Sequence, residues 1–162
     1  MNKIDSTAKI SSLADLEISQ RGSKLVVGAN SMIDSFVKIK FVGGDGDIEI
    51  GKSTNINSGC VLYSGNGIKI GDNVLIAANC TFAATNHEYK SKDKTIIEQR
   101  FKASKGGIII EDDVWIGAGA IILDGANLRK GCVIGAASIV GIKTEEYGVY
   151  YGSPLVLKKY RK

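Results

Sequence analysis

His87, in the run Thr85-Asn86-His87-Glu88-Tyr89, is the only histidine in 162 residues. It opens the longest irregular segment of the chain. An imidazole has an unperturbed pKa close to neutral pH, so a histidine at such a boundary has the chemistry of a general base. A solitary loop histidine is also the ordinary description of a solvated side chain, and position alone leaves both readings open. Asn57 is a second candidate. Its carboxamide is able to donate to a substrate oxygen or a developing oxyanion; the bland reading is a corner residue in left-handed backbone, as expected of Asn30, Asn55, Asn73 and Asn79. Trp115 stands at an outward position next to the inward Val114, where an exposed indole marks an interface. Cys60, Cys80 and Cys132 lack CxxC or CxxxH spacing and a histidine pair, so they read as compact inward-facing residues of a reducing compartment and no metal is expected.

The elements that position these residues come from a repeat. Apolar residues recur six apart at Ile4, Ile10, Leu16; Val27, Ile33, Ile39; Ile50, Ile56, Leu62; Ile70, Ile76, Phe82; and Ile110, Ile116, Ile122, Leu128, Ile134, Val140. The residue four places after each is small or Val, except at Gln20, Asn66 and Asn86. A period of six fits neither an α-helix nor simple strand alternation; it fits a short strand plus a corner, with the large and the small residue both inward. The early breaks in register each follow a third repeat, so three sides close a triangular coil and insertions collect along one edge. About six coils result, with one extruded loop, 88–107, and a tail, 147–162. The whole chain, 1–162, reads as a single all-β domain.

Composition agrees. Hydrophobic residues at 44% and charged residues at 23% describe a globular chain, and 20 glycines against one proline argue against a helix bundle. A formal net charge of +4 suits an anionic ligand and falls short of a nucleic-acid footprint, so no nucleic acid is expected. No run of 18 apolar residues exists and the first residues carry no apolar core, so neither a membrane span nor a signal peptide is expected, and the cytoplasm is the expected location.

The segments "IGDNVLIAANC", "TNHEY", "IEDDVWIGAGAIIL" and "GCVIGAASIV" resemble the hexapeptide-repeat acyltransferases, above all the maltose, galactoside and bacterial polysaccharide O-acetyltransferases. The resemblance implies a left-handed parallel β-helix, acetyl-CoA as acyl donor, and a homotrimer with active sites between subunits. It implies His87 as general base, Asn57 in the acceptor pocket, Trp115 beside the acetyl and pantetheine end of CoA, and Ala118, Gly135 and Ala136 along the pantetheine. Lys159 falls where a basic residue meets the nucleotide phosphates, and Lys143 stands one place later than the usual Thr-Lys pair. Gly152 and Pro154 match the family's terminal turn, whereas Val156 replaces an expected basic residue. Residues 4–20 read as another coil where galactoside-type relatives carry a helical segment. That departure favours an acceptor that is a saccharide unit of a cell-envelope polysaccharide. The implied activity is transfer of an acetyl group to a saccharide hydroxyl; an amino-sugar N-acetyltransferase and a non-catalytic scaffold are the alternatives. A zinc carbonic anhydrase on the same helix needs three histidines, which this sequence does not have.

Overall fold

A computed structural model describes residues 2–162. Each coil is made of three short strands. The first holds β1 (Lys3–Ile4), β2 (Lys9–Ile10) and β3 (Asp15–Leu16), and the second β4 (Leu25–Val27), β5 (Met32–Ile33) and β6 (Lys38–Lys40). The third holds β7 (Ile48–Ile50), β8 (Asn55–Ile56) and β9 (Val61–Tyr63), and the fourth β10 (Ile68–Ile70), β11 (Leu75–Ile76) and β12 (Thr81–Ala83). A loop containing the single-turn α1 (Ile96–Gln99) follows. The fifth coil is β13 (Ile108–Ile110), β14 (Trp115–Ile116) and β15 (Ile121–Leu123), and the sixth β16 (Asn127–Leu128), β17 (Val133–Ile134) and β18 (Ile139–Val140). Two longer strands, β19 (Gly148–Tyr151) and β20 (Val156–Tyr160), end the chain.

The first strands of the coils stack into one six-stranded sheet, face A; the second strands form face B; the third form the six-stranded face C. The architecture is a left-handed parallel β-helix with a triangular section. Register is fixed by the core. Face B stacks Ile33, Ile56, Ile76, Ile116 and Ile134 in one inward column. Face C stacks Ile39, Leu62, Phe82, Ile122 and Val140. Face A stacks Val27, Ile50, Ile70, Ile110 and Leu128. All fifteen are buried. At about 1.5–3 kcal/mol for each large side chain removed from water, these columns dominate the stability of the prism. Ile4 remains 43% exposed, and Ile10 and Leu16 only half-buried, because among the described residues the first coil is covered on one side only.

The corners need left-handed backbone, and the residues that supply it are stacked. Asn30, Ser53, Asn73 and Asp113 have φ of 57, 53, 57 and 59° between faces A and B. Phe36, Gly59, Asn79, Gly119 and Ala137 do the same between faces B and C. Asn55, expected at such a corner, lies instead within β8, and Asn57 is not left-handed: its corner uses Gly59, at φ 73°. Small polar inward residues close hydrogen bonds between coils: the Ser31 hydroxyl donates to Gly51 O at 2.7 Å and that of Thr54 to Gly71 O at 2.8 Å. The tail is a hairpin. β19 pairs in parallel with β17, extending face B, and β20 returns antiparallel to β19.

Candidate active site

His87 leaves the prism at the edge between faces C and A, just after β12. Two backbone contacts and one to a side chain fasten it. The Lys102 N–H donates to Asn86 O at 2.8 Å, the Glu88 N–H to Arg100 O at 3.1 Å, and the His87 N–H to the Asn86 side-chain oxygen at 2.9 Å. His87 and Phe101 face one another as a bridge pair, with ring centroids 4.8 Å apart. His87 Nδ1 lies 3.1 Å from the Arg100 carbonyl oxygen. A carbonyl only accepts, so Nδ1 is the donor in this contact, and it is Nε2 that carries the lone pair whenever the ring is neutral. Arg100 makes this possible through strained backbone, φ 61° and ψ −143°, at the end of α1. Next to it, the backbone N–H groups of Tyr89 and Lys90 hold the Glu88 carboxyl below the usual carboxylate range. Glu88 is thus an ionised acceptor at neutral pH and not a proton donor.

The returning end of the loop is anchored by Asp124, which is buried. Its carboxylate accepts from the N–H of Lys105 and of Gly107, each at 2.9 Å, and from the Asn66 amide at 3.2 Å. Between this anchor and face C lies a cleft of about 320 Å³ lined by Asn86, Lys102, Lys105, Asp124 and Leu123. Neither Asp124 nor the Arg100 carbonyl was found from sequence. Asp124 falls outside the six-residue apolar pattern, and a backbone carbonyl has no sequence signature.

Asn57 belongs to a different edge, between faces B and C. Its N–H donates to Ile76 O at 3.0 Å and its side-chain amide to the same oxygen at 2.6 Å, leaving the side-chain oxygen for a ligand. The ladder continues upward: Ala77 N–H to Ile116 O and Gly117 N–H to Ile134 O, so Asn57, Ala77, Gly117 and Gly135 occupy one column. Ala118 and Ala136 stack beside it, the next N–H bond running from Ala137 to Ala118 O at 2.9 Å. The expected donor residues Ala118, Gly135 and Ala136 and the expected acceptor residue Asn57 therefore share one straight edge. At the top of that edge the Tyr151 ring fills the space where a Cβ on Gly135 would be. Trp115 lies on face B next to this edge, outward and 50% exposed, in the ladder Asn55, Leu75, Trp115, Val133. It lines a cleft of about 340 Å³ with Leu75, Val133 and Arg161, whose guanidinium bonds Asp113 and the Gly131 carbonyl, each at 2.9 Å.

The two lysines separate. Lys159, on β20 opposite Val149, tops the Trp115 ladder three rungs up, about 14 Å at the usual strand spacing. Lys143 bridges Asn127 on face A, the face opposite the Ala118 edge, so one chain does not bring the two together. Cys60, Cys80 and Cys132 are buried and unbridged. The Cys60 thiol is pushed up by its hydrogen bond with Cys80 and by burial, and that of Cys132 by burial, so neither is an activated nucleophile. Among the described residues no three His, Cys, Asp or Glu side chains converge as metal ligands would, and no helix is long and apolar enough to cross a membrane.

With this geometry established, similarity to known proteins is informative. Residues 48–82 and 107–142 match the model of the hexapeptide repeat of succinyl-transferase, and the interval between them is the extruded loop. The chain is 29% identical to a galactoside O-acetyltransferase of Lactococcus lactis over 82% of its own length and 61% of that enzyme's. It spans 50 to 61% of the length of the first curated relatives it matches. A mutant of AntD, an N-acyltransferase from Bacillus cereus in complex with dTDP-4-amino-4,6-dideoxyglucose and coenzyme A, superposes with a TM-score of 0.82 at 27% identity, covering 99% of this chain and 84% of that one. A hexapeptide-repeat acetyltransferase from Vibrio cholerae, complexed with acetyl coenzyme A, superposes with a TM-score of 0.74 at 28% identity, covering 84% and 70%. The chain is a hexapeptide-repeat protein with the left-handed β-helix fold, and its sequence and structure resemble those of the hexapeptide-repeat acyltransferases.

Proposed function

We propose that this chain transfers an acetyl group from acetyl-CoA to a hydroxyl of a saccharide, with His87 as general base, in a homotrimer whose sites lie between chains. The observation that carries the reading is the 3.1 Å contact from His87 Nδ1 to the Arg100 carbonyl, which turns Nε2 away from that carbonyl, at the loop's exit from the prism. Nε2 takes the proton of the acceptor hydroxyl as its oxygen attacks the thioester carbonyl. The tetrahedral intermediate collapses with cleavage of the C–S bond, and the imidazolium returns the proton to the departing CoA sulfur. Asn57 stands ready to steady a substrate oxygen from its own edge. The complexes of the Vibrio and Bacillus proteins with acetyl-CoA and CoA support the same class of donor here, along the edge of Ala118, Gly135 and Ala136 beside Trp115, with Lys159 and Lys143 near the nucleotide.

Distances within one chain support two chains per site. The clefts beside His87 and Trp115 are shallow, and His87 is one face away from the Ala118 edge, so a neighbouring prism is the natural source of the second wall. Amino-sugar N-acylation is the second reading. It is favoured by the superposition on AntD, which covers 84% of that chain against 61% of the galactoside enzyme. Release of CoA thiol from acetyl-CoA with panels of hydroxy- and amino-sugars tests the proposal. Transfer to hydroxy-sugars that is lost in His87→Ala supports it, transfer to amines alone favours the second reading, and no transfer to any acceptor contradicts both.

A further inference from the structure

The lower part of the edge between faces B and C carries two side chains that the reaction as described leaves unused. Asp34 lies directly beneath Asn57: its N–H donates to Ile56 O at 3.0 Å, just as that of Asn57 donates to Ile76 O in the coil above. One Asp34 oxygen accepts the Ser35 N–H at 2.7 Å, and none of the ion pairs among the described residues involves Asp34. Two residues on is Phe36, with φ 63° and 63% of its surface exposed. The residues stacked above it in this corner are Gly59, Asn79, Gly119 and Ala137, all small or suited to left-handed backbone. A bulky aromatic in that conformation is a genuine outlier, and here it turns an apolar ring outward to no visible gain in packing.

We infer that Asp34, Phe36 and Asn57 form the acceptor subsite and that it takes a saccharide ring. A pyranose has an apolar C–H face and a rim of hydroxyls. The Phe36 ring offers the electron-rich surface on which such a face stacks, Asp34 accepts hydrogen bonds from the hydroxyls, and the Asn57 side-chain oxygen accepts another. The carboxylate disfavours an anionic group at this point, so the bound ring is a neutral one. The inference rests on the donor lying along the upper part of the same edge, as proposed above. Coils are about 4.8 Å apart, which puts Asp34 about 10 Å below Ala77 and leaves room for one sugar beneath the thioester.

Phe36→Gly makes a discriminating test because glycine suits the backbone φ, so the fold is kept or strengthened while the platform is removed. Saturation-transfer NMR with a panel of methyl hexosides is the direct readout. The wild-type chain and His87→Ala are expected to transfer saturation to the axial C–H protons of at least one hexoside, and Phe36→Gly and Asp34→Ala to lose at least tenfold in affinity. The melting temperature of Phe36→Gly is expected to hold or rise, its oligomeric state to match wild type, and Phe36→Trp to keep binding. Absence of hexoside binding by the wild type, unchanged binding in both variants, or a changed oligomeric state in Phe36→Gly would overturn the inference, the last by assigning Phe36 to a subunit contact. Acetyl transfer is read separately. Binding that depends on Phe36 without any transfer sinks the transferase reading and spares the subsite; transfer by Phe36→Gly at wild-type KM does the reverse.

Discussion

Asn57 and His87 stand at opposite ends of face C, Asn57 where the chain enters the corner before that face and His87 where it leaves the corner after it. The face between them is roughly 15 to 20 Å wide at about 3.3 Å per strand residue, too far for both to touch one reacting centre. On the proposed mechanism, a site that uses both draws them from two chains.

Replacing the proposed base should isolate chemistry from binding. His87→Ala is expected to lower turnover by about 10²- to 10⁴-fold, the usual contribution of a general base, with CoA affinity unchanged. Steady-state turnover and calorimetric CoA binding check both halves; full activity in a folded variant removes His87 from the mechanism.

The tautomer of His87 depends on the backbone at Arg100, not on its side chain. Arg100→Gly keeps φ near 61° without strain and should retain turnover within a few fold. Arg100→Ile, β-branched and ill suited to that conformation, should displace the carbonyl and lower turnover at least tenfold. Equal kinetics in the two variants would show that the carbonyl does not orient the imidazole.

Asp124→Ala removes three hydrogen bonds at the base of the loop. The expected result is faster hydrogen exchange at the Lys105 and Gly107 amides and reduced turnover, with CoA binding preserved. Protection equal to wild type would mean that the loop is held elsewhere.

Much of this was legible in the sequence, because a six-residue period leaves its mark on every coil. Asn66 and Asn86, which broke the small-residue pattern, sit where the loop is fastened: one bonds Asp124, the other the His87 N–H. The first coil matched the pattern yet stays half-exposed, since periodicity does not say which coil is last. The tail was read as simply leaving the prism. Its Val and Tyr runs flanking Gly152-Ser153-Pro154 had the form of a hairpin, but pairing with β17 is a long-range choice made by the open edge of face B. The contact from His87 to Arg100 was illegible for the same reason, spanning thirteen residues of irregular chain.

Gly135 illustrates a residue with two possible demands on it. Gly135→Ala drives a methyl into the Tyr151 ring and is expected to cost about 1–3 kcal/mol, recovered in part by Tyr151→Ala in the same chain. Urea unfolding of the double-mutant cycle measures this; additive losses would mean that the two do not compete for that space.

Cys60, Cys80 and Cys132 can each become Ala with turnover intact and a stability loss of roughly 1 to 3 kcal/mol, as for other buried side chains. Selective loss of turnover in a fully folded variant would overturn their structural role.

The shared site is tested most directly by mixing two inactive chains, His87→Ala and Ala118→Trp, the second obstructing the donor edge. In randomly exchanged trimers one groove in four joins an intact His87 from one chain to an intact edge from its neighbour, so about a quarter of wild-type activity should return. Activity no higher than that of either variant alone, after mass spectrometry has verified subunit exchange, would contradict a site built from two chains.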